Sequence, residues 1–333
     1  MDNSTWTPAS LLQLSGGYWS SCAVHAGVKL DLFTHLSDQD LEVSDLAALL
    51  SLDSRGLEML LNALAALNLL QKNGVAYRAT QFAAEYLSRN SPGYLGYIIL
   101  HHHHLMPGWA MLDVAVRDGL PVRDRVSHSD DESIRECFEM GMFNLAMQIA
   151  PRIVRHIDLA GRSRLLDLGG GPGTYAIHFC LQNPQLESVV YDLPTTRRFA
   201  ERTIASFGLE KRVSFEDGDY VTEGIQGRFD AAWLSHILHG EGPESCAAIL
   251  EKAVSALDPG GVLMVQEFIL DDSKDGPVFP ALFSLNMLVG TISGQAYSQG
   301  ELLEMMSRSG LKDLRRHEIE LPNGAGIITG VVP

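Results

Sequence analysis

The spacing of apolar residues changes about halfway along the chain. In residues 11–36, Leu14, Tyr18, Cys22, Val24, Val28, Leu30, Leu32 and Phe33 recur at helical spacing. Small polar residues lie between them, a pattern of helices that pack on a partner chain. Residues 43–50 predict a helix capped by Ser44, and residues 55–67 a longer one capped by Ser54. Residues 69–79 predict a hairpin turning near Asn73-Gly74. Helix, turn, helix and hairpin make a winged helix. After a break at Ser91-Pro92-Gly93, helical spacing runs to Val116 and stops at Gly119-Leu120-Pro121. Asp130 to Glu132 open a helix through Phe138, Met142, Phe143, Met147 and Ile153 toward Ile157, kinked by Pro151. Its Met and Phe face is core or, because the helix leads into the next strand, a roof over a ligand there.

From Arg164 onward, short apolar runs alternate with helices. Runs 165–168, 188–192, 213–215, 229–234 and 262–269 read as buried strands. Helices are expected at 174–181, 195–207, 243–257, 279–290 and 298–309, and a closing pair of strands at 312–319 and 327–332. This alternation predicts an α/β fold with a doubly wound sheet. Three regions follow: 1–95, a winged-helix-like dimerisation domain; 96–157, linking helices that form part of a substrate pocket; and 158–333, a ligand-binding α/β domain.

Composition narrows the function. The 333 residues carry a formal charge of −16, so the overall field repels nucleic acid and anionic membrane. Residues 1–90 hold five Lys/Arg against nine Asp/Glu, the wrong sign for a winged helix that grips DNA phosphates, and dimer packing is favoured over DNA binding. The four cysteines form no C-x-x-C and read as reduced thiols of a cytoplasmic protein. No run reaches 18 apolar residues, and no signal peptide is evident. Four consecutive histidines, His101 to His104, point about 100° apart on a helix and do not converge as metal ligands. One or two of them are expected to line a pocket, with His104 the candidate to face a substrate. No metal is expected.

The candidate chemistry starts at Leu165-Leu-Asp-Leu-Gly169-Gly-Gly171-Pro-Gly173-Thr174. A strand, a glycine turn and a helix bring backbone N–H groups to a ligand with no Cβ in the way. Asp192 ends the next strand and is placed for ribose hydroxyls, about 20 residues after the glycines. The ligand is therefore a nucleoside-containing cofactor. The G-x-G-x-G spacing is one residue tighter than the dinucleotide fingerprint and favours S-adenosylmethionine (SAM), which has no phosphate, over a dinucleotide or a purely structural turn. Asp219 and Tyr220 lie in an acidic loop on the same side, available to the adenine amino group and ring. His239 follows the fourth strand and Glu267 lies in the fifth. A histidine there is placed as a general base, with the acid holding its tautomer. His236 is the second histidine, expected to line the pocket.

Leu-Asp-Leu-Gly-Gly-Gly-Pro-Gly173, Tyr-Asp-Leu-Pro194, Gly-Asp-Tyr220, Ile-Leu-His239 and Asp-Pro-Gly-Gly261 stand in the order found in SAM-dependent small-molecule O-methyltransferases. The chain resembles that family, which includes acetylserotonin and caffeic-acid O-methyltransferases. Ser-Leu-Asn-Met-Leu-Val289 is similar to the acetylserotonin branch. The resemblance implies a class I methyltransferase domain behind a winged-helix dimerisation domain, a homodimer, and a small aromatic or polyketide-like acceptor, with S-adenosylhomocysteine as product. It implies cofactor contacts at Gly169, Gly171, Gly173, Asp192, Asp219 and Tyr220. Ser235 stands where a cofactor-side lysine is common. It implies His239 as base with Glu267 flanking it, and Met287 and Thr291 facing the acceptor. The chain departs from the family after the base, where Gly240-Glu241 replaces Asp-Trp. It departs again at Ala296, where the second flanking acid is expected. The base thus keeps one carboxylate partner unless Glu241 folds back, and N- or C-methylation, or other SAM-dependent chemistry on a small molecule such as decarboxylation, stands as the alternative to O-methylation.

Overall fold

The computed structural model describes residues 6–333; the first five residues of the expected dimerisation domain lie outside them. The chain divides into two compact units, Met1–Leu105 and Met106–Pro333.

The first unit contains α1 (Pro8–Gly16), α2 (Tyr18–Lys29), α3 (Leu32–His35), β1 (Leu41–Glu42), α4 (Val43–Leu50), α5 (Ser54–Ala66), β2 (Leu70–Asn73), β3 (Ala76–Ala79) and α6 (Gln81–Leu87). The strands form an antiparallel sheet in the order β1-β3-β2. Gly74 supplies the positive φ of the hairpin turn. Two caps differ from expectation. The side chain capping α5 is Asp53, which accepts from Gly56 N–H at 2.7 Å, so Ser54 lies inside the helix. Helix α4 begins at Val43 after Glu42 with no side-chain cap, which leaves Ser44 in the first turn. Phe33, Leu61, Leu64 and Tyr77 are fully buried in this unit, whereas Trp6 just before α1 and Leu11, Leu12, Leu14, Tyr18 and Trp19 along α1 and α2 are exposed.

Helix α7 (Gly96–Trp109) spans the division. The second unit continues with α8 (Leu112–Asp118), α9 (Glu132–Ile153), β4 (Arg164–Leu168), α10 (Thr174–Gln182), β5 (Glu187–Asp192), α11 (Arg197–Ser206), β6 (Val213–Asp217) and β7 (Phe229–Ser235). It closes with α12 (Pro243–Ser255), β8 (Leu257–Leu270), α13 (Val278–Gly290), β9 (Tyr297–Ser298), α14 (Gln299–Arg308), β10 (Lys312–Arg316) and β11 (Ala325–Val331). The sheet order is β10-β11-β8-β7-β4-β5-β6, with β9 paired to the end of β8. Strands β4 to β8 are parallel, while β11 and β10 return antiparallel.

Two bounds differ from the sequence pattern. Helix α9 stops at Ile153, two residues past Pro151, and does not run on to Ile157. Asp258–Gly261 lie within the long strand β8, whose pairing with β7 shifts register at this point. Alternate residues of each strand feed opposite faces. Leu165, Val190 and Trp233 pack with Ile153, Phe179 and Ile204 on one side. Leu166, Val189 and Leu234 pack with Ile249, Leu250 and Leu302 on the other. Among the described residues, no helix is long and apolar enough to cross a membrane.

Candidate active site

The chain order reverses between β4 and β7: β5 and β6 lie on one side of β4, β7 and β8 on the other. Ligands in such sheets bind at the carboxyl ends of the strands flanking that point. The glycine turn emerges there. Gly169, Gly171 and Gly173 all have positive φ, which side chains rarely adopt. A Cβ on Gly169 would stand 2.5 Å from Ile237 and 3.2 Å from the Tyr220 ring, so only glycine lets the turn close.

Three carboxyl groups surround this turn. Asp192 accepts from Gly171 N–H at 2.8 Å with one oxygen and from Leu193 N–H at 2.7 Å with the other. Burial raises its pKa, and these two donors oppose the rise. Asp167, inside β4, accepts from Ala176 N–H at 3.1 Å. Its other oxygen is buried with no hydrogen-bond partner among the described residues. Burial pushes Asp167 up to about 7. Glu139 reaches in from α9: one of its oxygens accepts from the Thr196 hydroxyl at 3.1 Å, and the other would lie 3.6 Å from a Cβ on Gly171. Burial, with the Asp192 charge beside it, pushes Glu139 up to about 8. The sequence reading missed Glu139 and Asp167. Asp167 left a signal, an acid inside an apolar strand, whereas Glu139 shares its helix face with Arg135 and Glu136 and left none.

Asp219 and Tyr220, the residues expected at the adenine, follow the end of β6. Tyr220 packs toward Gly169, and Lys252 anchors its loop by donating to the carbonyls of Tyr220 and Val221. Asp219 accepts from Val221 N–H at 2.8 Å and from the Thr222 hydroxyl at 2.9 Å, which shapes the loop. Ser235, at the end of β7, lies 3.4 Å from the Gln266 side-chain oxygen.

The second cluster lies where β7 and β8 leave the sheet. His239 occupies a single tight turn, 238–240. Its Nδ1 is 2.8 Å from Glu267 Oε2, and its backbone N–H donates to Glu267 Oε1 at 3.2 Å. Glu267 is 1% exposed. Burial alone would raise its pKa, but His239 and His236 outweigh that and hold the carboxyl well below its usual range. His236, at a left-handed φ of 58°, brings its Nδ1 to 3.6 Å from the same Glu267 oxygen. Phe268 lies over the His236 ring at 4.2 Å between centroids, and Phe283 stands edge-on to His239 at 4.7 Å.

Glu241 does not fold back onto the base. It is bound to Arg125 at 2.5 Å, and Ala296 contributes no acid, so Glu267 is the one carboxylate hydrogen-bonded to His239 among the described residues. Met287 is buried on α13. The Thr291 hydroxyl donates to the Met287 carbonyl and accepts from Gly294 N–H, closing the end of that helix. His104 lies on α7 within the first unit.

The glycine turn, the acid ending β5 and the acids beside them suit a nucleoside carrying positive charge, which is the chemistry of SAM. Comparison with known proteins points the same way. Residues 121–312 match a model of the O-methyltransferase domain, and residues 12–89 a model of the O-methyltransferase dimerisation domain. The chain is 33% identical to 3-hydroxy-5-methyl-1-naphthoate 3-O-methyltransferase of Streptomyces sahachiroi, over 97% of this chain and 95% of that one. It is 29% identical to the N,N-dimethyltransferase OxyT of Streptomyces rimosus, over 97% and 96%. The crystal structure of human N-acetylserotonin methyltransferase in complex with SAM superposes with a TM-score of 0.85 at 25% identity, covering 100% of this chain and 99% of that one.

Proposed function

The chain belongs to the O-methyltransferase family, and from that membership we propose that it methylates a hydroxyl of a small aromatic or polyketide-like acceptor with His239 as general base. It is a SAM-dependent enzyme. When bound, SAM supplies a methyl group on a positively charged sulfur. The Gly169–Gly173 turn would hold the cofactor with Asp192 on the ribose hydroxyls, Asp219 and Tyr220 at the adenine, and Ser235 nearby. Glu139 would receive the α-ammonium. Met287 and Thr291 would face the acceptor. Dimerisation through the first unit fits the exposed apolar residues of α1 and α2 and the matched dimerisation model.

The observation that carries the base assignment is the 2.8 Å contact between His239 Nδ1 and Glu267. A proton held on Nδ1 makes Nε2 the basic nitrogen of the ring. The acceptor proton passes to Nε2 as the oxygen takes the methyl, and Glu267 balances the imidazolium that forms. Methyl transfer to nitrogen is the second reading. The likeness to OxyT and the missing acid at Ala296 favour it, because a neutral amine attacks before it loses a proton.

The test is His239→Ala. Turnover in a labelled-methyl assay should fall by about 10²–10⁴-fold, while calorimetry with S-adenosylhomocysteine stays unchanged. Unchanged turnover would remove His239 as base and favour the amine acceptor.

A further inference from the structure

His236, His239 and Glu267 are more than a base and its support. One donor atom from each lies within 4.8 Å of the other two. Two of the separations, 2.8 Å from His239 Nδ1 and 3.6 Å from His236 Nδ1 to the same Glu267 oxygen, are close to those between donors sharing one metal ion. Glu267 has a single carboxylate to offer two imidazoles, and His236 Nδ1 is buried without a hydrogen-bond partner among the described residues. The Nε2 of that ring is turned toward the Gln266 side-chain amide at 3.1 Å, which fixes the ring with Nδ1 facing the cluster. Phe268 and Phe283 pack against the two rings and limit their rotation.

We propose that His236, His239 and Glu267 form a binding site for a divalent transition metal, and that its occupancy switches the enzyme off. Two imidazole nitrogens and one carboxylate oxygen with further positions open suit zinc, cobalt, nickel or ferrous iron. Magnesium and calcium prefer oxygen ligands and are poor matches. The net charge of −16 raises the local concentration of cations. Binding puts the metal on Nδ1 of both imidazoles and moves the proton held there to Nε2 of the same ring, where in His236 the Gln266 amide turns its oxygen to accept it. Glu267 then turns from the imidazole to the metal. With a divalent charge on the same ring, Nε2 no longer accepts the proton of the acceptor. The inhibitory half of the proposal rests on His239 being the base; the metal site itself does not.

The full-length enzyme is stripped with chelator and titrated with cobalt(II). A ligand-field absorption band saturating at one ion per chain is expected. Zinc should inhibit and a chelator should restore the rate, while magnesium at the same concentration leaves it unchanged. His236→Asn is the informative variant, because asparagine tolerates the left-handed backbone there and is a weak transition-metal ligand. In it the cobalt band should vanish. The zinc concentration for half inhibition, relative to that variant's own metal-free rate, should rise by about tenfold or more. Absence of the band in the wild type, or equal zinc sensitivity in His236→Asn, overturns the site. A band without inhibition leaves the site standing and overturns His239 as base, and a metal-stimulated rate overturns the off-switch.

Discussion

Two groups of buried acids lie at the carboxyl edge of the same sheet, and their environments push them in opposite directions. Glu267, at the β7–β8 end, sits against two imidazoles and is held well below its ordinary range. Asp167 and Glu139, beside the glycine turn, are raised to about 7 and about 8 by burial and the charge of Asp192, which for Glu139 outweigh Thr196 and Arg135. The end at β7 and β8 carries imidazole partners for its acid within the chain. The turn end has negative charge to offer and draws the positive partner from its ligand. Similar burial thus yields a permanent counter-ion in one place and a receptor for a cationic cofactor in the other.

The sharpest test of that contrast is Glu267→Gln, which keeps the shape and removes the charge. The His239 tautomer loses its support and the imidazolium its counter-ion, so kcat should fall by about 10²-fold or more with little change in cofactor affinity. An intact kcat would mean that the two ends do not differ in function.

Glu139→Gln probes the other end. In the free enzyme Glu139 holds its proton up to about pH 8, and a cation beside it drives that proton off. SAM affinity should therefore climb as pH rises between about 6 and 7.5, below the ordinary α-amino range, by at most about tenfold per unit. The glutamine variant should bind more weakly at the top of that window and show a flatter profile. Stability of the ligand-free enzyme should move the opposite way. The folded chain keeps a proton that the unfolded chain releases above about 4.5, so stability declines as pH rises toward 8. Thermal melts of both proteins across this range check the sign.

The smallest effect is expected at Arg125→Ala. Its partner Glu241 stands next to the base in sequence but not in the hydrogen-bond network. The loss should cost about 1 kcal/mol of stability, because the pair is partly open to solvent. The pH dependence of kcat should not shift. A shifted profile would make Glu241 a working partner of His239 and blur the line between the two ends.

Much of this was legible in the chain. Glycines at 169, 171 and 173 after an apolar run, an acid ending the next run, and a histidine just past the fourth run were enough to place the cofactor turn and the candidate base. These signals are local: strand period, backbone freedom at glycine and position at a strand end all act within a few residues. The winged helix was legible for the same reason, although Ser54 as a cap was not. Asp53 and Ser54 are both good caps, and where the preceding loop stays extended decides between them.

The sequence by itself determined the order of elements, the turn and the segment that carries His239, because each is fixed by neighbours along the chain. Only the tertiary structure decided which acid meets which partner. Glu139 lies more than 30 residues before the turn it serves, and Glu241 is drawn to an arginine over 100 residues away rather than to the histidine two positions before it. His236 and His239 converge on one carboxylate of a neighbouring strand because parallel pairing of β7 with β8 sets the ends of both strands side by side. Electrostatic partnership depends on distance in space and on exclusion of water, and neither is encoded in spacing along the chain.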